Sequence, residues 1–124
     1  MKTTERTEHQ EQTAFFAWVD LKKIKTTELE NIFAIPNGGL RNIVVAKKLK
    51  AEGVKAGVPD IFLAVARGGY HGLFIEMKRE KSGKLSDVQD GWMARLEYHN
   101  YCFKVCHGFN AAIEAVENYL ELNG

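Results

Sequence analysis

Apolar runs alternate with polar, glycine-rich stretches along the whole chain, and their spacing predicts both helices and strands. Apolar residues recur at helical spacing in segments that begin near residues 7, 42, 86 and 110. Short runs of branched and aromatic residues predict strands over residues 32–35, 60–63, 73–78 and 101–106. The predicted order is helix, strand, helix, strand, strand, helix, strand, helix. This order indicates an α/β fold in which helices cover both faces of a mixed sheet.

Capping boxes mark three of the segment starts, at Thr7 to Gln10, Thr27 to Glu30 and Ser86 to Gln89. The second of them predicts a short turn that leads into the first strand. The helix after Ser86 has apolar residues at helical spacing and is expected to pack them on the sheet: Val88, Trp92 and Leu96.

Two central strands carry the candidate chemistry. Residues 60–63 and 73–78 are separated by a glycine-rich turn, which predicts neighbouring strands. Glu76 and Lys78 are two residues apart and project from the same face. If Asp60 lies beside them, two carboxylates suit a hard cation such as Mg²⁺, and the lysine can orient the attacking water or help to deprotonate it. The pattern indicates metal-dependent phosphodiester hydrolysis, although solvated strand ends give the same short pattern in a chain with 27% charged residues.

Composition predicts one domain over residues 1–124, because 124 residues with 45% hydrophobic content are enough to bury a single core. No apolar run approaches membrane length and no secretory signal is present, so the expected location is the cytoplasm. Cys102 and Cys106 are expected to be thiols. Their spacing from His99 and His107 matches no standard zinc site.

Basic residues cluster on both sides of the acidic pair, although the net charge of +1 does not by itself indicate nucleic acid. These clusters either contact DNA phosphates or form ordinary solvated surfaces, and both interpretations stay open. Their members are Arg41, Lys47, Lys48, Lys50, Lys55, Lys78, Arg79, Lys81 and Lys84. The stretch from Asn37 to Arg41 offers backbone amides and a guanidinium for a phosphate, or is a turn that only redirects the chain.

Several motifs in a fixed order resemble the VRR-NUC branch of the PD-(D/E)xK nuclease superfamily: Gly57-Val58-Pro59-Asp60, Phe74-Ile75-Glu76-Met77-Lys78 and Leu85-Ser86-x-x-Gln89. The small stand-alone members of phages and prophages are the most similar. The resemblance implies a restriction-endonuclease-like core with a mixed sheet between helices. It also implies a DNA endonuclease that uses Mg²⁺ or Mn²⁺ in a bacterial cell or a phage-infected host. Structure-specific cleavage by a homodimer, as in Holliday-junction resolvases, is part of the same expectation.

The resemblance also implies roles for individual residues. Asp60 and Glu76 hold the metal together with the Met77 carbonyl, and Lys78 positions or activates the water. Gln89 acts near that water or near the DNA backbone, which requires it to share its side chain with the helix cap. An acid near the start of the first helix, Glu8 by the best match, completes the site as an additional metal ligand or as a group that positions the water. The set expected to contact DNA is Asn37, Arg41, Lys48, Lys55, Arg79 and Lys84.

The choice of the first-helix acid stays open between Glu8, which matches the family pattern best together with Gln12, and Glu11. Two other classes of protein also stay open. A catalytically silent DNA-binding or phage packaging or replication accessory protein predicts binding without cleavage. A small-molecule or protein-binding domain predicts that divalent metal does not change stability.

Overall fold

The computed structural model describes residues 4–36 and 43–124. Within these ranges the chain forms helix α1, a 3₁₀ turn, strand β1, helix α2, strands β2 and β3, helix α3, strand β4 and helix α4. Their bounds in that order are Glu8–Lys22, Thr27–Asn31, Ile32–Ala34, Ile43–Ala51, Ile61–Leu63, Leu73–Lys78, Asp87–Tyr98, Cys102–His107 and Phe109–Leu120. The predicted order of helices and strands is confirmed. None of the helices in these ranges is both long and apolar enough to cross a membrane.

The strands form one mixed sheet in the order β1-β2-β3-β4. The first three strands are antiparallel neighbours, and β4 runs parallel to β3 because α3 connects them. In the register of β2 and β3, Ile61 lies opposite Ile75. Asp60, one residue before β2, is therefore beside Glu76, as the sequence predicts.

The core lies between one face of the sheet and the helices α1 and α4. Alternate residues of β3 point into it and are fully buried, as are residues of the two helices: Leu73, Ile75, Met77, Phe15, Ala112 and Val116. Because side chains alternate along a strand, Glu76 and Lys78 face the opposite side, toward α3. Helices therefore cover both faces, as expected.

Helix α3 is less deeply buried than the sequence pattern suggests, and several of its contacts are polar. No residue of α3 is buried, and Val88 is 55% exposed. Trp92 donates its indole N–H to the Ala56 carbonyl at 3.2 Å. The prediction that α3 buries its apolar residues on the sheet is wrong for Val88, which lies beside the loop at Gly57, while Gln89 in the same turn bonds to Lys78 and Glu76.

Two of the three predicted capping boxes are confirmed. Thr7 and Gln10 exchange hydrogen bonds at the start of α1, and Ser86 and Gln89 do so at the start of α3. The prediction of a capping box at Thr27 is wrong. The 3₁₀ turn begins at that residue, and its preceding residue Thr26 makes no side-chain cap bond.

Gly57 connects the loop before Asp60 to the first turn of α3. Its φ is +80°, and an added Cβ would lie 2.4 Å from Val88 Cγ1 and 3.3 Å from the Val88 carbonyl carbon. Gly57→Ala is therefore expected to destabilise the protein through both backbone strain and overlap. Gly53 is the matched control, since its φ is +97° and a Cβ there meets open space. We expect Gly57→Ala to cost about 1–3 kcal/mol more than Gly53→Ala in urea unfolding. Equal losses would contradict the close packing of this loop on α3.

Candidate active site

Two carboxylates meet where β2 begins and β3 approaches its end. Asp60 Oδ2 accepts a hydrogen bond from the backbone N–H of Met77 at 2.8 Å. The neighbouring Glu76 is 1% exposed. The strand register and this bond hold the Asp60 carboxylate against β3, so the predicted pairing of the two acids is present in the fold.

The Glu76 carboxyl is in an environment that disfavours its charge. Burial raises the pKa of Glu76 to about 9, and the hydrogen bond and negative charge of Asp60 act in the same direction. The positive charge of Lys78 opposes them. Glu76 Oε1 is buried and accepts no hydrogen bond within the described part of the chain. The buried carboxyl of Glu76 therefore keeps its proton to a higher pH than an exposed glutamate does, and a cation beside the pair would favour its charged form.

Gln89 connects the helix α3 to the acids and the lysine. Its Oε1 accepts hydrogen bonds from Lys78 Nζ and from the Ser86 backbone N–H, both at 3.0 Å. Its Nε2 donates to Glu76 Oε2 at 3.1 Å. Lys78, which is 6% exposed, also lies 3.9 Å from Glu76 Oε2. The side chain of Gln89 is thus shared between the cap and the candidate site.

The two acids of the first turn of α1 point to different places. Glu8 lines the same cavity as Asp60, and its negative charge contributes to raising the pKa of Glu76. Glu11 is 1% exposed and accepts a hydrogen bond from the Phe109 backbone N–H at 3.1 Å, at the start of α4. It lies four residues before the buried Phe15, so it is on the core-facing stripe of α1. Of the two candidates, Glu8 is the one on the side of the acidic pair.

A cavity of about 840 Å³ extends from Asp60 along α1. One wall is a stripe of α1, and the other comes from the end of β1 and the residues after it; the lining is Glu8, His9, Gln12, Thr13, Phe16, Ala17, Asp20, Ala34, Ile35, Pro36 and Asp60. This cavity was not predicted from the sequence. A signal was present, since residues 8, 12, 16 and 20 are spaced by four and share one helix face.

The donor set fits a hard divalent cation with few protein ligands. No three His, Cys, Asp or Glu residues within 4–36 and 43–124 are close enough together to hold a metal ion. Glu8 therefore does not join Asp60 and Glu76 in a three-carboxylate set. Two carboxylates still suit Mg²⁺, which keeps several waters, and the buried Oε1 of Glu76 supplies an oxygen for it. The thiols of Cys102 and Cys106 are free and buried on β4.

The basic residues expected to contact DNA lie on two segments. Lys48 is exposed on α2, and Lys55 is exposed in the segment after it. Arg79 and Lys84 are exposed in the loop after β3, where Arg79 lies 3.9 Å from Glu5. The other two expected contacts, Asn37 and Arg41, lie outside the described residues.

Comparison with known proteins supports the resemblance over almost the whole chain. A family model for the VRR-NUC domain matches residues 2–110. A solved structure described as a VRR_NUC domain protein is 31% identical, and the match covers 98% of this chain and 93% of that chain with a TM-score of 0.82. A search of curated proteins finds no match.

Proposed function

Because this chain belongs to the VRR-NUC family, and thus to a nuclease type, we propose that it is a metal-dependent endonuclease that hydrolyses phosphodiester bonds in DNA. One observation carries the proposal. Glu76, Lys78 and Gln89 form a closed hydrogen-bonded and ionic group next to Asp60. Two acids, an amine and an amide at one edge of a sheet are suited to holding a cation and a phosphate together.

Three oxygen donors of this chain would hold the metal. Asp60 and Glu76 supply carboxylates, and Met77 supplies its backbone carbonyl. The N–H of Met77 faces Asp60, and in an extended strand the carbonyl of a residue faces the same neighbour as its N–H. When bound, Mg²⁺ or Mn²⁺ acts as a Lewis acid on the phosphate oxygens and neutralises part of their charge.

Lys78 and Gln89 prepare the site for the attack of water. The hydrogen bond from Lys78 to Gln89 fixes the ammonium beside Glu76, where it offsets negative charge that develops on the phosphate. Lys78 also orients the attacking water or helps to deprotonate it. Glu8, which lines the cavity next to Asp60, would help to hold that water.

The proposed substrate is branched or duplex DNA, bound by a homodimer. Exposed Lys48, Lys55, Arg79 and Lys84 would neutralise phosphates on either side of the acidic pair, together with Asn37 and Arg41. Two copies of the chain would present two active sites to two strands of a four-way junction. Binding that rests on these residues should weaken steeply as the salt concentration rises.

Cleavage of a labelled four-way junction, a flap and a linear duplex tests the proposal. We expect strand cutting with Mn²⁺ or Mg²⁺ and none with EDTA, and we expect paired cuts in the junction if the dimer acts on it. Binding of all three DNAs without cutting under any metal would overturn the enzyme proposal in favour of a DNA-binding accessory protein. The absence of both DNA binding and a metal-dependent rise in Tm would support a domain that binds other ligands.

Two substitutions at the start of α3 separate the two roles of Gln89. Ser86→Ala removes the cap bond to the Gln89 N–H and should cost about 1 kcal/mol of stability. Gln89→Ala keeps that bond but removes the reciprocal cap bond from the Ser86 N–H and the bonds to Lys78 and Glu76, so we expect cleavage to fall by about tenfold or more. Ser86→Ala should keep most of the activity. Equal activities in the two variants at a temperature where both are folded would assign Gln89 to the helix cap alone.

A further inference from the structure

The cavity between α1 and β1 is adjacent to the proposed cleavage site, because Asp60 belongs to both. The backbone N–H of Ile35 donates to the Asp60 carbonyl at 2.7 Å, which ties the β1 wall of the cavity to the site. A volume of about 840 Å³ is large enough for a ligand of several rings. Any group that enters the cavity would lie next to the phosphate held by the acidic pair.

The charge of the cavity indicates which part of DNA it can receive. Its described lining includes the three carboxylates of Glu8, Asp20 and Asp60 and neither lysine nor arginine. The proposed cation would offset the charge of Asp60, but a phosphate deeper in this space would face the like charges of Glu8 and Asp20, which is unfavourable. A nucleobase carries no charge at neutral pH, so it avoids this repulsion.

The walls of the cavity also suit a flat heterocycle. Phe16 is partly buried and packs edge-on against the buried Phe15, with ring centroids 5.4 Å apart, so its ring is supported from behind. Ile35 and Pro36 line the opposite wall. Gln12 offers an amide for hydrogen bonds, and the Thr13 hydroxyl, which donates to the His9 carbonyl at 2.8 Å, remains able to accept one.

We propose that this cavity receives an unpaired nucleobase of the DNA next to the phosphate that is cut, with Phe16 as its stacking partner. The inference rests on the proposed nuclease function and specifies its substrate class. A base that is already unpaired pays no unpairing cost, so flaps, bulges and open branch points are favoured over intact duplex. The free energy of stacking one base on an aromatic side chain corresponds to an affinity about tenfold to 100-fold higher for DNA with an unpaired base than for intact duplex.

A fluorescent base tests this assignment without strand cutting. Duplexes with one 2-aminopurine, either bulged or paired, are titrated with the protein in EDTA, and both the affinity and the fluorescence are followed. We expect the wild-type protein to bind the bulged DNA about tenfold more tightly and to change its fluorescence. Phe16→Leu, which keeps an apolar side chain against the core, should lose the preference, and Phe16→Trp should retain it. Tyr98→Ala is the control, because this aromatic residue is 85% exposed at the end of α3.

The outcomes distinguish this inference from the proposed function. Equal affinity of the wild-type protein for the two DNAs, no fluorescence change at any protein concentration, or a preference that Phe16→Leu retains, would each overturn the assignment of the cavity. Single-turnover cleavage of the same DNAs in Mn²⁺ tests the nuclease separately. If nothing is cut but the bulged DNA is still preferred through Phe16, the cavity binds a base and the nuclease proposal fails.

Discussion

Asp60→Asn is expected to reduce DNA cleavage by about 10²–10³-fold or more while the fold is retained. The substitution removes the negative charge that, with Glu76, is proposed to hold the cation. It keeps an oxygen that can accept the hydrogen bond from the Met77 N–H, so the contact between the start of β2 and β3 survives. Initial cleavage rates of a labelled junction in Mn²⁺ measure the effect.

The matched control for Asp60→Asn is Asp90→Asn, which changes the same chemical group at an exposed position in the first turn of α3. We expect this control to cleave DNA at nearly the wild-type rate. Thermal melting of both variants should agree with the wild type within a few degrees. Cleavage by Asp60→Asn at a rate close to that of the wild type would remove Asp60 from the proposed site.

Part of the convergence of Asp60, Glu76 and Lys78 could be predicted from short-range rules. Alternation along a strand puts Glu76 and Lys78 on one face. The pairing of β2 with β3, across the segment of residues 64–72, brings Asp60 beside them. The cap role of Gln89 follows from the pattern of its capping box, whereas its role beside the acids was implied only by the family resemblance. Its contacts with Lys78 and Glu76 depend on how α3 lies against β3.

The choice between Glu8 and Glu11 could not be made in this way, because both acids occupy the first turn of α1. What separates them is the stripe of the helix that the core buries, and that depends on how α1 packs against α4. The cavity beside Asp60 could be predicted only in part. The spacing of residues 8, 12, 16 and 20 puts one wall on a single face of α1, but no local pattern in the sequence specifies that Phe16 and Ile35 line the same space.

The exposure of Val88 is a second feature that local rules do not predict. The spacing of Val88, Trp92 and Leu96 has the period of a helix that buries one face. In the structure Gln89 is the residue of the first turn that bonds to β3, and Val88 remains more than half exposed. Periodicity predicts that a helix forms, but it does not specify how deeply each apolar residue is buried.

Glu76→Gln is expected to make the metal-free protein more stable at high pH. The pKa of Glu76 is raised by burial from 4.5 to about 9, so the folded state holds its proton over a range in which the unfolded state has lost it. The stability that the protonated Glu76 contributes is full below pH 4.5 and is lost as the pH rises through about 9. Glutamine resembles the protonated acid and does not ionise. The Glu76→Gln variant is therefore expected to keep its folding stability as the pH rises through about 9.

Thermal melting from pH 4 to pH 9 measures the effect, first in EDTA and then with Mn²⁺. In EDTA we expect Glu76→Gln to melt at least about 4 °C above the wild type at pH 9 and close to it at pH 4. Mn²⁺ should raise the Tm of the wild type and leave the Tm of the variant nearly unchanged, because a cation that binds only the native state stabilises it.

Glu114→Gln, an exposed substitution on α4, should behave like the wild type in both solutions. Identical pH profiles for Glu76→Gln and the wild type in EDTA would contradict the buried, proton-holding carboxyl. The expected variant is more stable and inactive, since the charge that destabilises the metal-free site at high pH is the charge proposed to hold the metal.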